Sequence, residues 1–413
     1  MTTRFAVAAA FALGLLVARS AFAAGTALDV QSARGTGMAG AVTAMIDDSS
    51  AIFYNPAGIA QGRILDAQVG DSIIIPSFQY TSPQGTATST QFNVSPPFQA
   101  YESGGLTDSV SIGVGVFTPF GLTVPWPPDW AGKSLITKAT LATYDFNPTV
   151  AYRLGPLRLG VGMQVERATV DLERKIETGP AEVSTELGAA AWGAGYNVGA
   201  QLEAIERYLS LGVHYRSAVK INFTGAVHFD NVPPPFRSSL YDQLATTSLT
   251  MPDILQMGIA SRPIRNLILD ADLVWNGWSK FRSIDIRFPR DASGQLSRPE
   301  PKNWNDTLNV HVGGEWLVDE TWRVRAGVLY DPSPSPNSTL APDVPDADRL
   351  NLAVGAGYRH ATGFGVDLAY QFIVLFDKTS TGVNTSTGVF AGTYGGNVNI
   401  VGISLSYRTP RSR

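Results

Sequence analysis

From about residue 64 onward the chain repeats one pattern that few folds can accommodate: apolar and polar residues alternate, one by one, in segment after segment. In the stretch 267–276, Leu267, Leu269, Ala271, Leu273 and Trp275 share one face, and Asp270, Asp272 and Asn276 share the other. Leu157, Leu159, Val161, Met163 and Val165 likewise oppose Arg158, Gly160, Gly162, Gln164 and Glu166. Trp322, Val324, Ala326 and Val328 oppose Arg323 and Arg325, and Val401, Ile403, Leu405 and Tyr407 oppose Ser404, Ser406 and Arg408. A period of two places successive side chains on opposite faces of a strand. A soluble sandwich alternates too, with its apolar face inward. Here the apolar faces run to about 9–11 residues, the length of a tilted strand crossing a bilayer. The opposing faces mix Gly, Ser, Asn, Arg and Asp, as a polar lumen would. Aromatic residues gather near strand ends (Tyr144, Tyr152, Tyr215, Trp278, Trp316, Trp322, Tyr330, Tyr358, Tyr407), the positions of interfacial girdles. The pattern predicts an all-β membrane protein whose apolar faces point outward.

The N-terminus assigns the compartment. Arg4 supplies a positive start, residues 5–18 an apolar core, and Ala21-Phe22-Ala23 a small-x-small cleavage site. The apolar run is shorter than the roughly 20 residues of a spanning helix. A signal peptide at 1–23 follows, with export across the inner membrane. The chain has no cysteine, which removes disulfides, thiolate metal sites and lipoprotein attachment together. A net charge of −4 offers no basic face to nucleic acid.

Strands are expected at 65–80, 90–103, 109–118, 140–154, 157–173, 190–203, 207–229, 248–262, 266–287, 305–318, 321–330, 349–361, 364–376 and 397–408, giving 14, an even number as single-chain bacterial barrels require. Short links such as Gly155-Pro156 and Asp319-Glu320 would be periplasmic turns. Links at 119–139, 174–189, 230–247, 288–304, 331–348 and 377–396 would be external loops. Residues 24–62 lack this alternation and are rich in Ala, Gly and Ser, with a short helix expected over 37–46. They fit a hatch inside the lumen, so the organisation expected is a signal peptide at 1–23, a hatch at 24–62 and a transmembrane barrel at 63–413.

Gly35-Thr36-Gly37-Met38-Ala39-Gly40 has the spacing of a dinucleotide fingerprint but lacks the strand before it and the βαβ unit after it. His214, His228, His311 and His360 have no metal-ligand spacing, so no metal or cofactor is implied. Gly70-Asp71-Ser72 sits within an expected strand with no evident His partner. Two elements carry more. In Phe53-Tyr54-Asn55-Pro56-Ala57 the Asn-Pro pair favours a turn. In Phe117-Thr118-Pro119-Phe120-Gly121 the proline cannot donate to a ladder and the glycine weakens it, so the third strand should bend or break. A break in a barrel wall leaves a gap, which must be filled from inside by protein.

With Gln31-Ser32-Ala33-Arg34-Gly35, Asn147-Pro148-Thr149-Val150-Ala151-Tyr152, Asn303-Trp304-Asn305-Asp306 and Pro345-Asp346-Ala347-Asp348-Arg349, these elements resemble the FadL/TodX family of outer-membrane transporters over essentially the whole mature chain. The resemblance implies a 14-stranded antiparallel outer-membrane β-barrel with an N-terminal hatch in the lumen. It implies passive, ligand-gated diffusion of hydrophobic molecules through a lateral opening, with long-chain fatty acids first and aromatic hydrocarbons as the alternative. Phe53, Tyr54, Asn55, Pro56 and Ala57 match the hatch motif, and Phe117, Pro119, Phe120 and Gly121 the strand kink. The loop at 121–139 is unusually apolar, and Leu122, Trp126, Trp130, Leu135 and Ile136 would form an exposed capture surface. A carboxylate cargo needs a lumenal cation, for which alternation offers Arg158, Arg216, Arg323 and Arg325. The partners expected are the ligand, outer-membrane lipid and lipopolysaccharide, around a monomer that is not an enzyme. A porin for polar solutes and an outer-membrane lipolytic enzyme are the rival readings.

Overall fold

The computed structural model describes residues 26–61, 65–179, 181–291, 297, 299–385 and 388–409. The expected signal peptide, and the outermost residues of the expected hatch at 24–25 and 62, lie outside this set. The wall consists of β1 (Asp66–Thr81), β2 (Phe98–Gly105), β3 (Val110–Phe117, resuming at Gly121–Pro125), β4 (Lys138–Leu154), β5 (Leu157–Glu177), β6 (Glu182–Ile205) and β7 (Leu209–Arg216 and Val219–Asp230). It continues with β8 (Gln243–Met251 and Ile254–Ile264), β9 (Leu267–Asn276), β10 (Thr307–Leu317), β11 (Trp322–Asp331), β12 (Arg349–Arg359), β13 (Phe364–Thr385) and β14 (Gly388–Arg408). Each strand pairs antiparallel with its neighbours, and β14 returns to β1 from Asp66↔Arg408 to Thr81↔Thr393, closing a 14-stranded barrel. Closure removes the exposed sheet edges that lipid cannot hydrogen-bond.

The burial is inverted relative to a soluble protein. Along β4, Tyr144, Phe146, Val150 and Tyr152 are exposed, while Asp145, Asn147, Thr149 and Ala151 between them are buried. Phe146 is 48% exposed and Asp145 not at all. A solvent of hydrocarbon outside and a polar interior inside produces this order. Near the short turns, Trp322 stacks edgewise on Tyr358 and Phe364 lies beside Tyr407, both at 5.0 Å, as a girdle.

Several sequence expectations need correction. Residues 266–287 are not one strand: β9 stops at Asn276, and a short 3₁₀ turn (Trp278–Lys280) carries the chain inward, where Trp278 is buried rather than in a girdle. The expected loops at 174–189 and 377–396 are mostly ladder, because the β5–β6 and β13–β14 hairpins extend to Glu177↔Glu182 and Thr385↔Gly388. Polar residues there continue the backbone pairing after the apolar alternation ends, so the composition changed while the strand did not. Part of the expected loop at 119–139 is likewise strand, since β3 resumes at Gly121.

Candidate functional site

Residues 26–61 touch strands around most of the wall and are nearly all buried. Ala33 N–H donates to Ser404 Oγ on β14, Asp272 on β9 accepts from Val42 and Thr43 N–H, and Asn55 Nδ2 donates to the Ala200 carbonyl on β6. Such contacts from opposite sides place the segment in the lumen. It is not helical over 37–46. Two single turns, α1 (Ala33–Thr36) and α2 (Ala51–Tyr54), flank irregular backbone in which Ala39 and Gly40 take positive φ values of 50° and 78°. The strands crowd the backbone there: a Cβ on Gly327 would lie 2.3 Å from the Met38 carbonyl carbon.

The Asn-Pro turn is built from side-chain bonds. Asn55 is extended (φ −167°), its Oδ1 accepts from Ala57 N–H at 3.3 Å, and Nδ2 also donates to the Thr43 carbonyl at 2.9 Å. Pro56 then opens a 3₁₀ turn, where its missing N–H costs nothing. Tyr54 Oη donates to the Asp29 carbonyl (2.7 Å) and accepts from Gln31 N–H (3.0 Å). Phe53 meets Phe117 edge-on at 5.3 Å, and the Arg216 guanidinium lies 5.1 Å from both ring centroids.

At Thr118-Pro119-Phe120 the third strand leaves the wall and bonds to the lumenal segment instead. Leu28 N–H donates to the Pro119 carbonyl (2.9 Å) and Gly121 N–H to the Thr26 carbonyl (3.0 Å). Gln31 spans the break, donating from Nε2 to the Thr118 carbonyl at 2.6 Å and accepting Thr118 N–H at 3.3 Å. Beyond it, Gly121–Pro125 pairs, among the described residues of the wall strands, only with β4, and pairing between β2 and β3 ends at Ala100↔Val116. The ladder is therefore interrupted between β2 and the second half of β3, and residues 26–31 fill the inner side.

Beside this break lies an apolar cavity of about 90 Å³, measured as the space open to the centre of a water-sized sphere. Leu122, Leu141, Val170, Leu172, Leu249 and Met251 form its apolar walls, with Trp278, Phe281 and Trp304 at one side. Trp304 meets Trp278 at 5.0 Å and Phe281 at 4.8 Å, both edge-on. Thr26 also lines it, so one residue of the lumenal segment touches both the cavity and the break. Asp343 reaches the lining but is held by Lys302 Nζ at 2.6 Å. Burial opposes the charge of Lys302, yet Asp343 and Glu300 hold its pKa above the ordinary lysine value.

The four arginines do not gather at this cavity. Arg216 pairs with Asp145 at 2.8 Å, and Arg325 with Glu315 and Asp367 at 2.7 Å each. Arg158 donates to Gln201 Oε1 beside the short Gly155-Pro156 turn, and Arg323 lines a separate water-accessible vestibule at the short-turn end with Arg34, Arg359 and Arg408. Alternation gave their facing correctly, but depth and partners are set by register. The apolar loop also differs from expectation: Trp126, Trp130 and Ile136 are buried, Leu135 is half-buried, and Leu122 faces the cavity. Trp126 stacks on Trp130 at 4.4 Å, so the loop packs on itself, and against Tyr80 and Phe390, instead of presenting an open surface.

A profile described as outer membrane protein transport protein (OMPP1/FadL/TodX) matches residues 14–409. The chain belongs to the FadL/TodX family. The long-chain fatty acid transport protein of Escherichia coli K12 is 24% identical over 90% of this chain and 92% of that protein. Outer membrane protein P1 of Haemophilus influenzae is 25% identical over 95% and 97%. Among solved structures, a Pseudomonas aeruginosa FadL homologue superposes with a TM-score of 0.83 at 19% identity, covering 93% of this chain and 99% of the other. The Pseudomonas putida toluene transporter TodX gives 0.70 at 14%, covering 95% and 100%. The protein is thus an outer-membrane transport protein for hydrophobic compounds. Members of this FadL/TodX family are channels, and the outer membrane is their compartment. Trp278 and Phe281 were missed as cavity residues because nothing local says that β9 ends at Asn276. Trp304 lies in the Asn303-Trp304-Asn305-Asp306 element that carries the resemblance, but nothing in the sequence assigned it a role at a site.

Proposed function

We propose that the chain passes long-chain fatty acids through the apolar cavity and releases them sideways into the bilayer at the break in β3. The observation that supports this is the meeting of cavity, break and lumenal segment at Thr26–Leu28. A hydrocarbon chain gains about 0.8 kcal/mol per buried CH₂ on entering such a cavity, and lateral release keeps it out of water. Cargo in the cavity presses on Thr26. Movement there loosens the Gly121–Thr26 and Leu28–Pro119 bonds, and residues 26–31 withdraw from the gap. Residues 24–62 then act as the hatch, with Phe53 through Ala57 anchoring its lower end and Phe117, Pro119, Phe120 and Gly121 forming the gate. No step consumes energy: transport is downhill and no catalysis is involved. The closed barrel has no edge needing a second subunit, so the working unit is a monomer among lipid and lipopolysaccharide.

Aromatic hydrocarbons are the second reading, favoured by the aromatic side of the cavity at Trp278, Phe281 and Trp304. Mass spectrometry of lipids that co-purify with the protein separates the two. Uptake assays with Pro119→Ala and Asn55→Ala test the route, and undiminished uptake in both variants refutes the lateral gate.

A further inference from the structure

The vestibule at the short-turn end holds about 540 Å³ of space open to the centre of a water-sized sphere. Six arginines line it: Arg34, Arg262, Arg323, Arg325, Arg359 and Arg408. Three of them are paired with carboxylates. Arg34 binds Asp47 (2.7 Å), Asp48 (2.9 Å) and Glu315 (3.1 Å), and Arg408 binds Asp48 (3.0 Å) and Asp66 (3.2 Å). Arg325 is held by Glu315 and Asp367. Arg323 and Arg359 differ: both are half-buried, and neither has an ion-pair partner among the described residues. Arg359 Nη1 donates to the Gly363 carbonyl at a long 3.4 Å. Glu320, the remaining acid on the lining, is exposed on its turn and pairs with neither. Register places the two arginines on one stretch of wall. Arg323 on β11 stands opposite Gly357 on β12, so Arg359, two residues further on, is its diagonal neighbour on the same lumenal face. Such neighbours are about 7–8 Å apart. A Cβ on Gly365, opposite Arg359 on β13, would lie 2.9 Å from Arg359 Cζ, so that guanidinium rests across the glycine. The like charges of Arg408 and Arg323 act on it there, offset in part by Asp367 and Asp48.

We propose that Arg323 and Arg359 bind a small tetrahedral oxyanion of the phosphate class, taken from the water of the vestibule. Two like charges on one half-buried wall favour a shared counter-ion. A guanidinium presents a planar fork of N–H donors that matches a pair of phosphate oxygens, and two forks match two pairs. The ligand is hydrophilic, because Ile268, Leu317 and Ala361 are the only apolar side chains among the described lining residues, and a hydrocarbon tail has little to pack on. The wall strands separate the site from lipid, so the phosphate belongs to a soluble molecule and not to a lipid head group. The site is distinct from the apolar cavity and does not depend on what the cavity carries. It stands at the foot of the lumenal segment, where Arg34 and Arg408 tie Asp47 and Asp48 to the wall. An anion there is therefore held beside the ion pairs that seat that segment.

The test is calorimetric titration of inorganic phosphate, and in a second arm glycerol 3-phosphate, into the purified protein in maltoside micelles. Sodium chloride holds the ionic strength constant throughout. Binding to the parent protein is expected, and the tighter arm names free phosphate or a monoester as the source. R323Q and R359Q should each weaken that binding about tenfold or more, since each removes charge-assisted bonds. R262Q is the control: it removes an equal charge from the same lining at an exposed position and should leave binding unchanged. No binding to the parent protein, unchanged binding in both R323Q and R359Q, or equal weakening by R262Q each overturns the inference. If the variants do not assemble, the parent protein decides through phenylglyoxal, which modifies accessible arginines. Phosphate should slow the modification of Arg323 and Arg359 but not of Arg262, followed peptide by peptide by mass spectrometry. Equal rates in phosphate and in chloride overturn the inference.

Discussion

Gly160 faces the lumen on β5 directly opposite the Asn-Pro turn. A Cβ built there would sit 2.3 Å from the Pro56 carbonyl carbon, 2.5 Å from the Ala57 nitrogen and 2.6 Å from the Pro56 oxygen. Ordinary contact needs about 3.4 Å or more, so Gly160→Ala forces roughly 1 Å of movement in backbone that no rotamer change can relieve. The wall strand is held by ladders on both sides, with Gly160 opposite Ala151 on β4 and Gly199 on β6. The turn is held mainly by the Asn55 side chain, so it is the turn that yields. Overpacking of this kind costs about 1–3 kcal/mol. Charged against the seated state alone, that shifts the balance between seated and displaced hatch by about 5- to 150-fold. The assay is single-channel recording in planar bilayers, where the parent barrel is expected to be nearly silent and Gly160→Ala to show frequent openings. Gly314→Ala is the control, because its nearest neighbour is the flexible Leu269 Cδ2 at 3.2 Å. Assembled Gly160→Ala barrels as silent as Gly314→Ala would refute the reasoning, since the turn would then not be pressed against the wall.

Gln31→Leu removes both bonds that Gln31 makes to Thr118 and leaves buried backbone groups unpaired, at about 1–3 kcal/mol each. Amide exchange across 118–121 should accelerate, and protection equal to that of the parent would count against the stitched break. Arg216→Met strands the fully buried Asp145 carboxylate, a loss of about 3–5 kcal/mol, read as a lower temperature for the gel-mobility shift of the unfolded barrel. Asp145→Asn in the same chain should restore part of it. The Lys302 pair gives a pH dependence. Its folded pKa is raised, so its contribution is complete below the unfolded value of 10.5 and is lost as pH climbs past that value toward the higher folded one. Lys302→Met should flatten that alkaline decline, and unchanged alkaline unfolding would mean that the pair contributes nothing.

How much of this was legible beforehand depends on the range of the interactions involved. Facing along each strand came from local alternation, because the side-chain period of two is a backbone property. Pro119 stands where the third strand leaves the ladder, and its missing N–H is visible in the residue itself. Asn55 and Pro56 marked a turn for the same reason. What lay beyond reach were properties that depend on which strands become neighbours. Arg216 and Arg325 face inward as alternation requires, but Asp145, Glu315 and Asp367 neutralise them across strands 10 to 71 residues away. The loop around Trp126 and Trp130 looked like an exposed apolar surface because hydropathy does not say what covers it; Tyr80 and Phe390, far away in sequence, do so.

The sequence by itself therefore determined an outward-facing apolar barrel of 14 strands, a chain end unsuited to the wall, and a third strand that could not run straight. Those follow from periodicity and from residues whose backbone chemistry is fixed wherever they stand. Only the tertiary structure decided that residues 26–31 fill the break, that β9 ends early enough to send Trp278 and Phe281 inward, and that Arg216 and Arg325 are already paired with carboxylates. Each of these is a meeting between distant segments, and closure of the barrel decides which segments meet.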